Sequence, residues 1–319
     1  MKILVTGGAG YIGSVVCAKL VAAGHRVIAV DNLVGGLQPI LPHEVDFRPG
    51  DVARIEQYVT QDDGVEAVMH LAGLIQVAES MVEPAKYWQA NLAGSIALFE
   101  GLRRLGIQRL IFSSTAACYG TPERTPIAET DEPHPESVYG WTKLAVDQVL
   151  TSYAAAYDLA AFSLRYFNVA GAYGRYGERH LPETHIIPLA LKAASENKPF
   201  ILFGDDYPTA DGTNVRDYLH VADLADAHIL ALDHLLPGRH EIVNLSTGQG
   251  SSNREVIAAV EQVTGKPLAV AIKPRRSGDP AVLVASNAKA RQLLDWQPQY
   301  TLTDMVADAW TYMRNSTTA

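Results

Sequence analysis

The chain has 319 residues, 48% of them hydrophobic and 19% charged, which predicts one large α/β domain or two coupled ones around a substantial core. Its formal net charge of −9 disfavours a nucleic-acid partner, because no broad basic surface is available to neutralise phosphates. No apolar run reaches about 18 residues, and the chain enters a strand directly after Met1. We therefore expect no membrane span, no signal peptide and a cytoplasmic location.

The N-terminal half alternates short apolar strands with helices. The predicted strands are Ile3–Thr6, Arg26–Val30, Val45–Arg48, Ala67–Leu71, Leu110–Ser114 and Ala160–Tyr166. The predicted helices run from Tyr11 to about Ala23, from Pro84 to Leu105, and from Ser137 to about Tyr157. Apolar strands that alternate with helices indicate a parallel sheet covered on both faces, so we predict a Rossmann-like doubly wound fold.

The pattern changes after Asn168. Residues 171–183 are rich in Gly, Tyr, Arg and Pro and predict a loop, and helix-like and strand-like pieces then mix irregularly through Gln299. We predict a first domain over residues 1–168 and a smaller α/β lobe mainly over residues 169–319. Some later segments are expected to return to the first domain.

The chain contains two cysteines, Cys17 and Cys118, far apart in the sequence. Two such residues with no adjacent histidine-rich tract predict neither a disulfide framework nor a metal site. We expect both to be core residues rather than reactive thiols.

A glycine-rich turn follows the first predicted strand and opens the first predicted helix. Gly7, Gly10 and Gly13 have the spacing Gly-x-x-Gly-x-x-Gly, which suits a backbone that approaches a pyrophosphate at a helix N-terminus. Asp31 ends the second strand, where a carboxylate hydrogen-bonds an adenosine ribose and repels a 2′-phosphate, so NAD is favoured over NADP. Asp51 follows the next strand and either accepts from the adenine amino group or is a surface residue.

Tyr139 and Lys143 are four residues apart in the third predicted helix, so they share one helix face. A nearby ammonium favours the phenolate and predicts a lowered tyrosine pKa, which suits a general base. Ser113, Ser114 and Thr115 end the fifth strand, where ligands bind in such sheets, although serines there are often turn residues. We predict that Thr115, Tyr139 and Lys143 handle a proton together.

These three features together resemble the extended short-chain dehydrogenase/reductase family, and within it the nucleotide-sugar epimerases. The resemblance covers essentially the whole chain, and its more specific blocks are Asp-Tyr-Pro-Thr and Val-Arg-Asp-Tyr. The stretches that carry it are residues 31–33, 72–74, 79–80, 165–171, 203–209, 211–213, 215–221, 244–248 and 275–280.

The resemblance implies NAD as the cofactor, a UDP-hexose as the substrate, and a homodimer formed through the helices at Pro84–Leu105 and Ser137–Tyr157. The NAD contacts it implies are Gly7, Gly10, Tyr11, Ile12, Gly13, Asp31, Asn32, Asp51, Val52, Leu71, Ala72, Gly73, Asn91, Ser113, Tyr139, Lys143 and Tyr166. The substrate contacts it implies are Thr115, Tyr139, Asn168, His185, Ile186, Phe203, Tyr207, Arg216, Arg276, Asp279 and Leu283. Arg216 and Arg276 each offer a forked guanidinium to a diphosphate, although either alone could form a surface salt bridge.

The implied reaction is reversible inversion at C4 of UDP-glucose and UDP-galactose through a 4-keto intermediate. Tyr139, held as phenolate by Lys143 and by cationic NAD, removes the 4′-hydroxyl proton, with Thr115 bridging. Hydride leaves C4 for the nicotinamide and returns to the opposite face after the sugar turns. The UDP stays clamped throughout, so there is no net redox change.

Two positions depart from the family pattern. Leu283 stands where selective epimerases often carry a tyrosine, which predicts that UDP-N-acetylhexosamines are also accepted. Ile75 stands where a lysine often contacts the nicotinamide, so that contact is not expected here.

Other readings remain open at this point. Ala116 and Ala117 follow Thr115 where a nucleotide-sugar dehydratase needs an acid and a base, which argues against that enzyme. A UDP-N-acetylglucosamine or UDP-glucuronate 4-epimerase and a non-catalytic NAD-sensing protein remain the alternatives.

Overall fold

The computed structural model describes residues 1–35, 38–180, 182–276 and 279–317. Its strands alternate with helices through the N-terminal half and become shorter and more scattered afterwards. In chain order they are β1 (Lys2–Thr6), β2 (Arg26–Asp31), β3 (Asp46–Pro49), β4 (Ala67–His70), β5 (Arg109–Thr115), β6 (Ala160–Tyr166), β7 (Asn168–Ala170), β8 (Ala172–Tyr173), β9 (Tyr176–Gly177), β10 (Phe200–Phe203), β11 (Val215–His220), β12 (His240–Leu245), β13 (Gly250–Ser252), β14 (Val270–Lys273) and β15 (Val282–Leu283).

The helices cover the sheet and form most of the second lobe. They are α1 (Tyr11–Ala22), α2 (Val77–Val82), α3 (Pro84–Tyr87), α4 (Gly94–Arg104), α5 (Val138–Tyr157), α6 (Ile186–Glu196), α7 (Val221–Asp233), α8 (Asn253–Thr264), α9 (Ala288–Leu294) and α10 (Leu302–Thr317). A π-helical turn, Trp88–Ala93, joins α3 to α4, and short 3-10 helices occupy Val52–Gln57, Gln61–Asp63 and Ala116–Cys118. Within the described ranges, no helix is long and apolar enough to cross a bilayer.

A seven-stranded sheet forms the centre of the fold, with the strand order β12-β6-β5-β4-β1-β2-β3 and every neighbouring pair parallel. Successive side chains of a strand point to opposite faces. Ile3 and Val5 accordingly pack with α1 and α7 on one face, whereas Leu4 packs with α4 and α5 on the other. Both faces are therefore apolar and covered, which confirms the predicted Rossmann-like fold.

The carboxyl ends of these parallel strands meet at one edge of the sheet. The order reverses between β1 and β4, which is the crevice where such folds bind ligands. The segments that follow β1, β4, β5 and β6 in the chain therefore surround one site.

The second lobe lies beyond this edge and is built on smaller sheets. β11 is its central strand and pairs with β7, β13 and β15, while β10 pairs with β14. Residues of α6, α8 and α10 form its apolar core. The chain returns to the large sheet through β12, which pairs with β6 from His240 to Leu245.

Three local features differ from the sequence predictions. The helix predicted over Pro84–Leu105 is interrupted by the π-helical turn, where a wider hydrogen-bond ring adds one residue and turns Asn91 inward. The third strand is shifted to Asp46–Pro49, so Asp51 lies two residues beyond its end. The predicted loop over residues 171–183 contains the small β8–β9 hairpin.

Candidate active site

The glycine-rich turn between β1 and α1 has a shape that only glycines allow. Gly7 has a φ of +73°, a conformation that L side chains rarely adopt. A Cβ on Gly7 would lie 2.6 Å from the main-chain nitrogen of Ala72, and a Cβ on Gly13 would lie 2.1 Å from the oxygen of Gly7. Gly10 precedes α1 and has no side chain to cap it, so the N–H groups of Tyr11 and Ile12 are available to an anion. This cradle fits a dinucleotide pyrophosphate.

Asp31 lies at the end of β2, beside the glycine turn. Its carboxylate accepts hydrogen bonds from the main-chain nitrogens of Ala9 (3.1 Å) and Leu33 (2.8 Å). Asn32 next to it accepts from the nitrogen of Val34 at 3.1 Å. The acid is thus held at the mouth of the crevice, where the sequence predicted an adenosine ribose.

Asp51 and Val52 lie at the next strand end along the sheet. The Asp51 carboxylate accepts from the main-chain nitrogen of Ala53 at 2.9 Å and caps the 3-10 helix that begins at Val52. The side chain of Asp51 is exposed. The geometry thus gives Asp51 a capping role and leaves its predicted adenine contact a prediction.

Lys143 and Tyr139 lie one turn apart near the start of α5. The Nζ of Lys143 donates to the main-chain oxygen of Ser113 at 2.9 Å and lies 4.7 Å from the centre of the Phe112 ring. A Cβ placed on Gly73 would lie 3.5 Å from the same Nζ. The lysine is therefore anchored to β5 and faces the segment after β4, which is the cofactor side of the site.

The pKa of Tyr139 differs from the sequence prediction. Burial raises this pKa above its usual value of 10, the neighbouring Tyr166 adds to the rise, and the hydrogen bond with Thr115 only partly offsets it. Burial also lowers the pKa of Lys143 from 10.5 to about 8. The lowered pKa was predicted for Tyr139 beside Lys143 and cationic NAD; in the protein chain by itself the pKa is raised, because burial disfavours the phenolate.

Hydroxyl groups surround the Tyr139 phenol. Thr115 ends β5, interacts with the phenol, and accepts from the nitrogen of Ala117 at 3.1 Å. The side chains of Ser113 and Tyr166 hydrogen-bond to each other across β5 and β6. The structure therefore brings the predicted Thr115, Tyr139 and Lys143 to one place at the edge of the sheet.

Asn91 holds the segment after β4 in position. Its side-chain oxygen accepts from the nitrogen of Leu74 at 2.8 Å, and its side-chain nitrogen donates to the oxygen of Leu74 at 3.0 Å. The nitrogen of Leu71, at the start of this segment, donates to the oxygen of Thr6 at 3.0 Å. The strand ends of β1 and β4 are thereby closely joined, and Ile75 projects beyond them with a partly exposed side chain.

Asp147 and Arg165 support this site, and the sequence analysis did not identify them as a pair. The carboxylate of Asp147 accepts from both Nε (3.1 Å) and Nη2 (2.8 Å) of Arg165, and from the Ser114 hydroxyl at 3.2 Å. Both charged side chains are almost completely buried. The sequence offered one signal for this pair. Asp147 lies one helical turn after Lys143, and Arg165 is a charged residue inside an apolar strand.

In the second lobe, the predicted UDP-binding residues cluster around β11. Arg216 forms an ion pair with Asp279, which also accepts from the amide of Asn214 at 2.9 Å. The guanidinium carbon of Arg276 lies 4.2 Å from the centre of the Phe203 ring. Arg216 is therefore already paired, and the diphosphate and ribose roles of Arg216 and Asp279 remain predictions.

Two polar atoms in this cluster point to a ligand. The hydroxyl of Tyr207 and the side-chain oxygen of Asn214 are shielded from solvent and have no hydrogen-bond partner among the described residues. A buried polar group without a partner is costly, so a polar ligand would stabilise both. The guanidinium of Arg275 stacks at 4.3 Å on the Tyr207 ring, and the predicted block continues into Ser277 and Gly278, outside the described residues.

The remaining predicted substrate residues lie on other segments of the chain after β6. Asn168 on β7 donates to the main-chain oxygen of Asp217 at 3.2 Å. Leu283 pairs in register with Arg216 and packs on the apolar group that contains Ala116 and Phe167. His185 precedes Ile186 at the start of α6.

The family model described as the NAD dependent epimerase/dehydratase family matches residues 3–246. A curated UDP-glucose 4-epimerase from Corynebacterium glutamicum is 48% identical over 314 residues, which cover 98% of this chain and 95% of that protein. A solved UDP-glucose 4-epimerase from Stenotrophomonas maltophila, with bound NAD and formylated UDP-arabinopyranose, has a TM-score of 0.93 and 40% identity over 100% of this chain and 99% of its own.

A second solved UDP-glucose 4-epimerase, from Bifidobacterium longum in complex with NAD+ and UDP, has a TM-score of 0.90 and 34% identity over 99% of each chain. These similarities confirm the predicted relationship to the epimerases and the prediction of NAD as the cofactor. The chain belongs to the NAD-dependent epimerase/dehydratase family.

Proposed function

We propose that this chain catalyses the reversible epimerisation of UDP-glucose and UDP-galactose at C4. The observation that carries the proposal is the convergence of Thr115, Tyr139 and Lys143 at the edge of the sheet, beside a glycine cradle that fits a dinucleotide. Bound NAD supplies the reversible hydride acceptance at C4 on which such an inversion depends.

Tyr139 takes the 4′-hydroxyl proton in this scheme, and Thr115 bridges the sugar oxygen and the phenol. Because burial raises the Tyr139 pKa in the chain by itself, a positive charge must lie close to the phenol for it to act as a base near neutral pH. Lys143 supplies one such charge. Its bond to the Ser113 oxygen keeps the ammonium on the cofactor side of the phenol.

The cluster around β11 is proposed to hold the UDP while the sugar turns. Arg276 over Phe203 provides a cation and an aromatic face, and the Tyr207 hydroxyl provides a buried group without a partner. Leu283 packs against the apolar group that contains Ala116 and Phe167, which offers the hexose apolar surroundings. Hydride must return to the opposite face of C4. This requires a hexose that can turn while the nucleotide stays firmly bound.

We also propose the domain division made from the sequence, with NAD held mainly by residues 1–168 and the UDP-sugar mainly by residues 169–319. The return of β12 to the large sheet supports a boundary that is not a single cut. A cytoplasmic location is proposed as well, because Cys17 and Cys118 are both free and buried.

A homodimer through the two long helical segments is a further part of this proposal. Trp88 and Trp141, on the π-helical turn and α5, are large apolar residues that remain partly exposed, and Met81 on α2 is more exposed still. Apolar surface of this kind is typical of protein–protein interfaces. Light scattering after gel filtration measures the molar mass of the protein, and a monomer at micromolar concentration would contradict the proposed homodimer.

The function is tested by incubating the purified protein with UDP-galactose, without added reductant, and resolving the products by NMR. We expect UDP-glucose to accumulate to a plateau with no accumulation of NADH. A parallel sample with UDP-N-acetylgalactosamine tests the wider sugar range. A protein that contains NAD but converts no UDP-sugar would contradict the proposal and favour a non-catalytic NAD-binding protein.

A further inference from the structure

Two histidines and a glutamate converge in the segment between β9 and α6. Donor atoms of Glu178, His180 and His185 all lie within 4.8 Å of one another, a grouping that the sequence analysis did not anticipate. The Nδ1 of His180 lies 2.5 Å from one carboxylate oxygen of Glu178, and the Nδ1 of His185 lies 3.7 Å from the other. We propose that these three residues bind a divalent transition-metal ion, with Zn2+ as the best fit, so that His185 serves the ion rather than the UDP contact that the family resemblance implies for it.

The distances suit such an ion. A tetrahedral Zn2+ with bonds of about 2.0 Å places its donor atoms about 3.3 Å apart, and the contacts between Glu178 and the two imidazoles lie on either side of that value. Two imidazoles and a carboxylate are a donor set that favours zinc over Mg2+ or Ca2+, which prefer oxygen ligands.

A second observation points to a missing partner at the same place. The Nδ1 of His180 is shielded from solvent and makes no hydrogen bond of acceptable geometry to any described residue, although Glu178 is in contact with it. A buried ring nitrogen that faces a carboxylate without a proper hydrogen bond loses stabilisation. A cation bound by both groups would supply the missing partner, and the two atoms would then move apart from 2.5 Å to about 3.3 Å.

Glu183 completes the surroundings of the site. Its carboxylate accepts from the Nδ1 of His185 at 2.8 Å and from the main-chain nitrogens of Thr184 and His185 at 2.7 Å each. It is therefore fixed beside the cluster as a fourth ligand, and binding of the ion replaces the hydrogen bond from the Nδ1 of His185, because a protonated ring nitrogen cannot ligate a metal. The side chains of Glu178 and Glu183 are 10% and 20% exposed, so the acids are largely withdrawn from water.

The position of the site gives the ion a structural role. Arg179, between two of the ligands, donates to the main-chain oxygens of Gln38 at 3.0 Å and Ala9 at 3.5 Å. His185 immediately precedes α6 in the second lobe. A bound ion would thus fix a segment that connects the glycine turn to the second lobe.

The test uses tag-free, full-length protein from which metal has been removed with a chelator, titrated with Co2+ and with Zn2+. We expect one Co2+ per chain with the intense visible absorption of a four-coordinate site, displacement by Zn2+, and a thermal unfolding midpoint that rises with Zn2+. None of these measurements requires turnover, so their outcome is independent of the proposed epimerase activity.

The variants are His180→Ala and the more conservative Glu178→Gln, with His134→Ala as the matched control. His134 is an exposed histidine with a carboxylate neighbour, Glu132, 3.8 Å away. Loss of one ligand should weaken binding by at least the roughly 10–100-fold that loss of an outer-shell partner costs, whereas the control should bind as wild type does.

Equal binding by wild type and folded His180→Ala or Glu178→Gln protein would overturn the proposal, because the ion would then lie elsewhere. Absence of saturable binding by wild type would also overturn it and leave the cluster as an imidazole–carboxylate network. Far-ultraviolet circular dichroism establishes that each variant is folded.

Discussion

The Nζ of Lys143 donates its hydrogen bond to the main-chain oxygen of Ser113, 2.9 Å away, and so links α5 to the end of β5. The bond places a buried ammonium one helical turn from the Tyr139 phenol. Burial acts on the two groups in opposite directions, lowering the pKa of the lysine and raising that of the tyrosine. Each group is thereby shifted towards its neutral form, and the charge state of the site depends on what binds beside them.

The lysine shift predicts a pH dependence of stability. Between about pH 8 and 10.5 the unfolded chain binds the Lys143 proton and the folded chain does not, so this group makes stability rise with pH in that window. From pH 8 to 9.5 the free energy of unfolding should gain about 2 kcal/mol from this group. Lys143→Met should lack that gain. Urea unfolding of both proteins at several pH values measures the difference, and parallel pH profiles would contradict the prediction.

Removal of the Tyr139 hydroxyl should abolish most turnover while binding is retained. Tyr139→Phe removes the atom that accepts the proton, and loss of a general base typically costs about 10²–10⁴-fold in rate. Bound NAD, measured by its absorbance after denaturation, and UDP affinity, measured by calorimetry, should stay close to wild type. Tyr157→Phe, an exposed tyrosine at the far end of α5, is the control. Near wild-type turnover by Tyr139→Phe would show that Tyr139 is not the general base.

The close contact between Gly13 and Gly7 predicts that Gly13→Ala damages both the turn and NAD binding. The new methyl carbon would meet a main-chain oxygen at 2.1 Å, so the start of α1 must shift. We expect destabilisation of about 1–3 kcal/mol and weaker retention of NAD. Gly94→Ala is the control, because its Cβ would make an ordinary contact of 3.7 Å. Equal NAD content in the two purified variants would show that the turn tolerates a side chain.

The buried pair of Asp147 and Arg165 should be a major source of stability. Asp147→Asn leaves the Arg165 guanidinium buried without its counter-charge, which typically costs about 3–5 kcal/mol. Glu196→Gln, in the solvent-exposed ion pair with Lys198, should change the free energy of unfolding little, because water and salt screen that pair. Equilibrium urea unfolding measures the free energy of unfolding of the two variants and of wild type. Equally small losses of stability in the two variants would show that the buried Arg165 guanidinium pairs with another group.

Local sequence patterns were sufficient to predict the sheet and to bring the main candidate residues to one edge of it. The two strands contain the apolar runs Ile3–Val5 and Leu110–Phe112, and hydroxyl residues follow each run at the end of the strand. Because parallel strands end at one edge, Asp31 and Thr115 could be assigned to the same site without a structure. The helical spacing of Tyr139 and Lys143 is similarly local.

The features that were missed depend on contacts distant in the sequence or on desolvation. The π-helical turn at Asn91 has no distinct hydrophobic period, and its inward direction follows from pairing with Leu74. The direction of the Tyr139 pKa shift depends on how deeply the phenol is buried, which spacing alone does not reveal. The cluster of Glu178, His180 and His185 lies in an irregular segment, where two Glu-x-His pairs were the available signal.

Leu283 is predicted to set the range of sugars that the site accepts. Its side chain packs against the apolar group that contains Ala116 and Phe167, next to the end of β5. We predict that the size of this side chain limits the space beside the hexose. Wild type should convert UDP-N-acetylgalactosamine as well as UDP-galactose. Leu283→Tyr should lose the acetamido sugar, by about tenfold or more in kcat/KM, which corresponds to about 1.4 kcal/mol, while it keeps most activity on UDP-galactose.

Leu283→Met is the control, because it conserves volume and should retain both activities. Competition between the two sugars in one NMR sample gives the ratio of their kcat/KM values directly. An unchanged ratio in Leu283→Tyr would show that the side chain at this position does not contact the 2-substituent of the sugar. A ratio that changes equally in the methionine variant would show that packing around β15, rather than occupied volume, determines the selectivity.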